Sequence, residues 1–246
     1  MCLTIILAAG LKLNHKTRLP SVLDNVNGKP WLYYHIKQAL TIKSTHILIV
    51  VGKYRNIIEP ILETYFVGMR QIHYIDQMED NIHNTIKTRG TGDAVRCCLP
   101  FLLSNRILFE TSVLIIHGNG PLLSINTIKK MLCTANSILV AEVENPSGYG
   151  RVIMNADNSI AKIVEDKDCT PEESCIKLIN YGAYNIHLGV LNKFISEITN
   201  RNKRKEYYFP DIVEIASKNF VKMTPCEIPQ KKLRTTTTTT TTTSNI

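Results

Sequence analysis

Two apolar runs end in small residues that leave the main chain open. Leu3 to Gly10 (LTIILAAG) finishes in Ala8, Ala9 and Gly10, and Ser112 to Leu122 (SVLIIHGNGPL) finishes in His117, Gly118, Asn119, Gly120 and Pro121. An apolar β-branched run reads as a strand buried on both faces, and in an open α/β sheet ligands bind beyond the carboxyl ends of such strands. Two ends of this kind on one sheet edge predict a site there. Other chemistries find less support. Glu165, Asp166 and Asp168 offer carboxylates, but a hydrolase needs two acids converging across a bond at about 5–10 Å, which the run KIVEDKD does not show. The seven histidines lack a metal-ligand spacing such as HExxH, and neither a GxSxG elbow nor a P-loop occurs. Arg151, after Gly148-Tyr149-Gly150, is either a phosphate partner or a surface arginine of a hairpin.

The elements that must position these residues follow an α/β pattern. A polar, basic stretch from Leu11 to Asn27 leads to Gly28-Lys29-Pro30, where proline suits the first turn of a helix carrying Leu32, His35, Ile36 and Ala39 at helical spacing. A strand is predicted over 46–52, a helix over 56–66 and a strand over 71–76, an order that implies parallel pairing with right-handed crossovers. The segment 77–89 has no clear period and reads as a long loop. A glycine turn then feeds a helix over 90–103. A helix over 124–134 and a strand over 137–144 follow, then a hairpin turning at 156–158, a strand and helix in LINYGAYNIHLGVLNKFISEI, and a short helix over 206–216 with Pro210 in its first turn.

The 246 residues are 44% hydrophobic, enough for the core of one large α/β domain. The formal charge of +8 favours anionic ligands. Its cations are dispersed and lack interleaved aromatics, so phosphorylated small molecules fit at least as well as nucleic acid. Seven cysteines with no CxxC pair read as buried or free thiols of a reducing compartment. No run approaches the ~20 apolar residues of a membrane span, and Met1 leads directly into the first strand; a cytoplasmic location is expected. Nine consecutive threonines (235–243) cannot build a core, so 231–246 is read as a disordered tail. There is no hexapeptide repeat to announce a β-helix.

Eight motifs stand in register: LAAG (7–10), GKP (28–30), GTGDA (90–94), GNGPL (118–122), GYGR (148–151), IVEDKD (163–168), NYG (180–182) and EYYFPD (206–211). Over residues 3–230 the chain resembles the sugar-nucleotide pyrophosphorylases, closest to the uridylyltransferase domain of bacterial-type UDP-N-acetylglucosamine pyrophosphorylase. The resemblance does not extend to the acetyltransferase half of the bifunctional enzymes, and no such half is expected here. The resemblance implies a Rossmann-like, mostly parallel sheet with flanking helices, of the nucleotide-diphospho-sugar transferase type, over residues 1–230. It implies transfer of uridylyl from UTP to N-acetylglucosamine 1-phosphate with release of pyrophosphate, aided by Mg²⁺. It places the nucleotide against Leu7, Ala8, Ala9, Gly10, Gln77, Gly90 and Thr91, and the amino sugar against Gly150, Glu165 and Asn180. Gln77 is the counterpart of the family's uracil-reading glutamine if the third strands align; otherwise it is an exposed loop amide.

The chain departs from the family where charge matters. Asn14 stands at the family's arginine, Lys12 at its second glycine, and Ser21 at the lysine that follows proline. Asn119 stands at the Mg²⁺-binding aspartate, a neutral and poorer ligand for a hard dication, and a second metal-binding asparagine has no match. Lys12, Lys16 and Arg18 keep the loop basic; Lys12 and Arg18 are the candidates for the missing catalytic charges, against the plainer reading of solvated loop charges. Two functions remain open on these residues: a uridylyltransferase of the UDP-N-acetylglucosamine diphosphorylase type with substituted charged positions, and a non-catalytic sugar-nucleotide binder of the same fold.

Overall fold

The computed structural model describes residues 1–78, 80–82 and 85–228. The tail expected over 231–246 lies outside them. A nine-stranded mixed sheet organises the chain. Its strands are β1 (Cys2–Leu7), β2 (Ile47–Val51), β3 (Ile72–Asp76), β4 (Ser112–His117), β5 (Ser137–Glu142), β6 (Arg151–Met154), β7 (Ile160–Val164), β8 (Leu178–His187) and β9 (Thr224–Glu227). The path runs β7-β6-β8-β4-β1-β2-β3, with β5 paired to β8 and β9 to β5.

β1 lies between β2 and β4, parallel to both, with Leu7 opposite Val50 and His117. Its alternating side chains enter two cores: Leu3, Ile5 and Leu7 face one, Ile6 and Ala8 the other. Burial on both faces explains the continuous apolar run. From β1 the chain winds outward to β2 and β3, then returns to the other side of β1 as β4. That reversal opens a crevice beyond the carboxyl ends of β1 and β4, the switch point at which such sheets take ligands. β8 runs antiparallel to β4 and β5, and β6–β7 form the expected hairpin.

The helices of six residues or more among the described residues are α1 (Trp31–Thr41), α2 (Arg55–Glu63), α3 (Thr91–Arg96), α4 (Leu99–Ser104), α5 (Ile125–Leu132), α6 (Leu188–Phe194) and α7 (Asp211–Lys218). Three expectations change. The helix expected over 90–103 is two, because Pro100 near the start of α4 has no N–H to donate and its ring crowds the carbonyl four residues back. The loop expected over 77–89 contains an antiparallel pair, Asp80–Ile82 with Thr85–Lys87. The helix expected from 206 begins at Asp211, because Tyr207 is held extended: its N–H donates to Arg89 O at 2.8 Å and its carbonyl accepts Gly92 N–H at 2.7 Å.

Candidate functional site

A cleft of about 360 Å³ occupies the switch point. Its floor is made by the two strand ends, which Gly118 N–H ties together by donating to Leu7 O at 2.8 Å. Leu7, Ala9, Gly10, His117 and Asn119 all line it. Ala8 does not. Strand alternation turns its side chain into the core beneath α1, and its N–H is occupied by Val50 O at 2.8 Å, so neither its side chain nor its N–H faces the cleft.

One wall joins β3 to α3. Gln77 is 6% exposed, not the loop amide of the alternative reading. Its Nε2 donates to Gly90 O at 2.9 Å and to Asp93 Oδ2 at 3.1 Å. Both partners are acceptors, which fixes the amide's orientation and leaves Oε1 as the acceptor it can offer. Asp93 sits 3.8 Å from both Arg89 and Arg96. Gly90 and Thr91 line the cleft beside Gln77, with the Thr91 hydroxyl accepting Phe209 N–H at 3.0 Å.

Gly150, just before β6, Glu165, just after β7, and Asn180, within β8, meet in the cleft. Asn180 N–H donates to Gly150 O at 2.8 Å. A methyl group at Gly150 would lie 3.3 Å from Glu165 Oε1 and 3.6 Å from Asn180 Cβ, so glycine is what lets the carboxylate and the amide share one small surface. The Asn180 amide is oriented by Tyr184 Oη, 2.6 Å from Nδ2, and by Gly182 N–H, 3.1 Å from Oδ1. Burial raises the Glu165 pKa, partly offset by the Arg204 charge, while Asp168, Asp166 and Glu206 push it further up. Burial and the nearby Glu165, Glu214 and Asp168 push Asp211 up to about 7. Burial lowers His117, which favours a neutral imidazole.

The basic loop begins and ends at this cleft, since Gly10 and Ser21 both line it, but Lys12, Asn14 and Arg18 do not. Lys12 and Arg18 are exposed. Asn14 closes the loop on itself: its Nδ2 donates to Asp24 Oδ1 at 2.6 Å, and its Oδ1 accepts Lys16 N–H at 2.8 Å and Thr17 N–H at 3.1 Å. Arg151 fits neither of its expected fates, because its side chain is 3% exposed and paired with Asp166. Sequence reasoning placed His117 at a site-forming strand end but did not single out Tyr181, Arg204, Glu206 or Tyr208 as site residues, yet all five line the cleft. Glu206 and Tyr208 lay in the EYYFPD motif; Arg204, in a basic run, carried no signal of its own.

The donors described do not make a Mg²⁺ site by themselves. Asn119 offers one neutral oxygen, and among the described residues no group of three or more His, Cys, Asp or Glu could hold a metal ion. Mg²⁺ is held through one or two carboxylates together with substrate phosphates. No helix among the described residues is long and apolar enough to cross a membrane.

Comparison with known proteins agrees with this layout. A protein of Acanthamoeba polyphaga mimivirus named "Probable UDP-N-acetylglucosamine pyrophosphorylase" is 32% identical over 85% of this chain and 80% of its own length. The bifunctional protein GlmU of Caldanaerobacter subterraneus subsp. tengcongensis is 34% identical over 86% of this chain, which spans 44% of that relative. A UDP-glucose pyrophosphorylase solved with UDP-glucose superposes with a TM-score of 0.68 at 17% identity, covering 93% of this chain and 91% of that one, a likeness of fold. The model of the family described as nucleotidyl transferase matches residues 5–225, and the chain belongs to that family.

Proposed function

We propose that the chain is a uridylyltransferase of the UDP-N-acetylglucosamine diphosphorylase type, joining UTP and N-acetylglucosamine 1-phosphate with release of pyrophosphate. The observation that carries this reading is the facing of two walls across one cleft: Gln77, Gly90 and Thr91 on one side, Gly150, Glu165 and Asn180 on the other. The nucleotide lies on the Leu7, Ala9 and Gly10 floor with its base toward Gln77 Oε1, which accepts the ring N–H of uracil. The sugar lies on the other wall, where Glu165 accepts from hydroxyls and Asn180 reads the N-acetyl group. The sugar phosphate then attacks the α-phosphorus in line, and pyrophosphate leaves from the opposite side. Little covalent work falls to the protein in such a transfer; holding the reactants in line supplies most of the rate. Lys12 and Arg18 are proposed to reach the leaving phosphates, which requires the Leu11–Leu19 loop to fold inward over Gly10. Mg²⁺, brought with the nucleotide, is proposed to neutralise phosphate charge; no step here depends on it.

Pyrophosphate release from UTP, measured with Mg²⁺ and a panel of sugar 1-phosphates, tests the proposal. Turnover with N-acetylglucosamine 1-phosphate at least tenfold above the glucose and mannose compounds is expected, and no turnover with any of them refutes it. A second reading, a non-catalytic sugar-nucleotide binder, draws on Asn14 and Asn119, where the expected charges are neutral. Such a protein binds UDP-N-acetylglucosamine with little response to Mg²⁺, whereas the enzyme also binds UTP more tightly with the metal. Steeply salt-dependent binding to nucleic acid would instead favour a nucleic-acid partner, which neither reading includes.

A further inference from the structure

The backbone of Arg151, the first residue of β6, pairs with Val164 of β7 on one side and Ile179 of β8 on the other. It therefore sits at the junction of the three strands that deliver Gly150, Glu165 and Asn180. Its guanidinium points away from the cleft and is buried. Nη2 donates to Asp166 Oδ1 at 2.8 Å, and Nη1 donates to the Tyr149 carbonyl. The Arg151 guanidinium, with a smaller contribution from the Gly148 backbone, holds the Asp166 carboxyl below the usual carboxylate range. The Tyr149 carbonyl, in the middle of the 148–150 turn, is thus fastened through the guanidinium to the residue that immediately follows Glu165.

We infer that Arg151 and Asp166 are a positioning pair that sets the distance between Gly150 and Glu165 and so shapes the sugar subsite. This rests on the function proposed above. Stability alone does not account for the pair. Burying a guanidinium against a single carboxylate gains little over an apolar side chain of similar size, and Arg151 Nε is buried with no partner among the described residues. What the planar fork supplies is direction, since it addresses two acceptors at fixed angles as an ammonium cannot. Neither side chain lines the cleft, so neither touches substrate.

The test compares Arg151→Met, Arg151→Lys and Asp166→Asn with the wild type in the full chain, by two readouts. Amide hydrogen exchange is expected to rise at least tenfold at 148–150 and at 165–168 together in Arg151→Met and Asp166→Asn, with protection of β1, β2 and β4 unchanged. In the pyrophosphate assay the same variants are expected to raise KM for N-acetylglucosamine 1-phosphate about tenfold, with KM for UTP and kcat within about twofold. Arg151→Lys restores part of this, because one ammonium reaches Asp166 without holding the Tyr149 carbonyl at the same time. Unchanged exchange in both turns overturns the inference, as does an equal rise in KM for both substrates, the mark of general loosening. If the wild type shows no turnover, the proposed function fails while exchange still decides whether the pair holds the two turns.

Discussion

Replacing Gly90 with alanine tests how the nucleotide wall is built. Gly90 adopts φ +100° and ψ 170°, a region essentially confined to glycine, where a side chain costs about 1–3 kcal/mol. The added Cβ would lie 2.5 Å from Tyr207 O and 2.8 Å from Tyr207 N. Both are backbone atoms, so no rotamer change relieves the overlap, and overpacking of this kind adds about 1–3 kcal/mol. Three hydrogen bonds hold the crossing segments together: Tyr207 N–H to Arg89 O, Gly92 N–H to Tyr207 O and Phe209 N–H to Thr91 Oγ1. Loosening even one removes about 1 kcal/mol more. The expected loss is about 3–7 kcal/mol, a large part of the ~5–15 kcal/mol of a whole domain.

Two other glycines serve as internal controls. Gly148 has φ +84° but nothing within 4 Å of a built Cβ, so Gly148→Ala should cost only about 1–2 kcal/mol of backbone strain. Gly10 has neither constraint, so Gly10→Ala should stay within about 0.5 kcal/mol of wild type. Urea unfolding followed by the fluorescence of Trp31, whose Nε1 donates to Gly120 O at 2.7 Å beside the cleft, reports all three. A Gly90→Ala protein within about 1 kcal/mol of wild type would show that the 90–92 and 207–209 segments do not cross as described.

The remaining expectations concern charge. Asp211, raised to about 7 from an ordinary 3.8, keeps in the folded chain a proton that the unfolded chain releases, so stability falls as pH rises from about 4 to about 7 and is flat above. The ceiling is about 4 kcal/mol at ~1.4 kcal/mol per tenfold in proton affinity, and solvent screening of this part-exposed group reduces it to about 1–2 kcal/mol. Asp211→Asn should therefore be more stable than wild type by that amount near pH 8 and unchanged near pH 4.5; equal gains at both, read from urea midpoints, would contradict the assignment. Asn119→Asp supplies a carboxylate at the end of β4 and should make UTP binding about tenfold tighter with Mg²⁺ than without, about 1.4 kcal/mol; an unchanged Mg²⁺ response in titration calorimetry counts against a metal position there. Lys12→Ala and Arg18→Ala should each lower UTP turnover about tenfold and flatten its salt dependence if the loop closes over the phosphates. Rates equal to wild type would remove both residues from the reaction.

What could be read from the sequence depended on how far a residue's partners lie along the chain. The strands were legible because burial on both faces leaves an unbroken apolar run, and the cleft was legible because a glycine-bearing strand end at a switch point leaves the backbone open. The inward turn of Ala8 was also available, since period-two alternation puts it opposite Leu7 and Ala9, and Pro100 already marked the break between α3 and α4. The fates of Arg151, Asn14 and Tyr207 were not legible. Arginine after a glycine turn is a surface residue by composition, and only the fold brings Asp166, fifteen residues on, close enough to bury it. Tyr207 belongs to a run with helical spacing, but its backbone is claimed by Arg89 and Gly92, more than a hundred residues earlier. Asn14 shows why position alone misleads. Compared with an arginine it looks like a lost charge, yet its amide accepts two N–H groups within the loop and binds Asp24 across it. An arginine at this position would reach outward, whereas Asn14 holds the loop closed. Closure of the loop by Asn14 leaves the Lys12 and Arg18 side chains exposed, while Arg204 already lines the cleft.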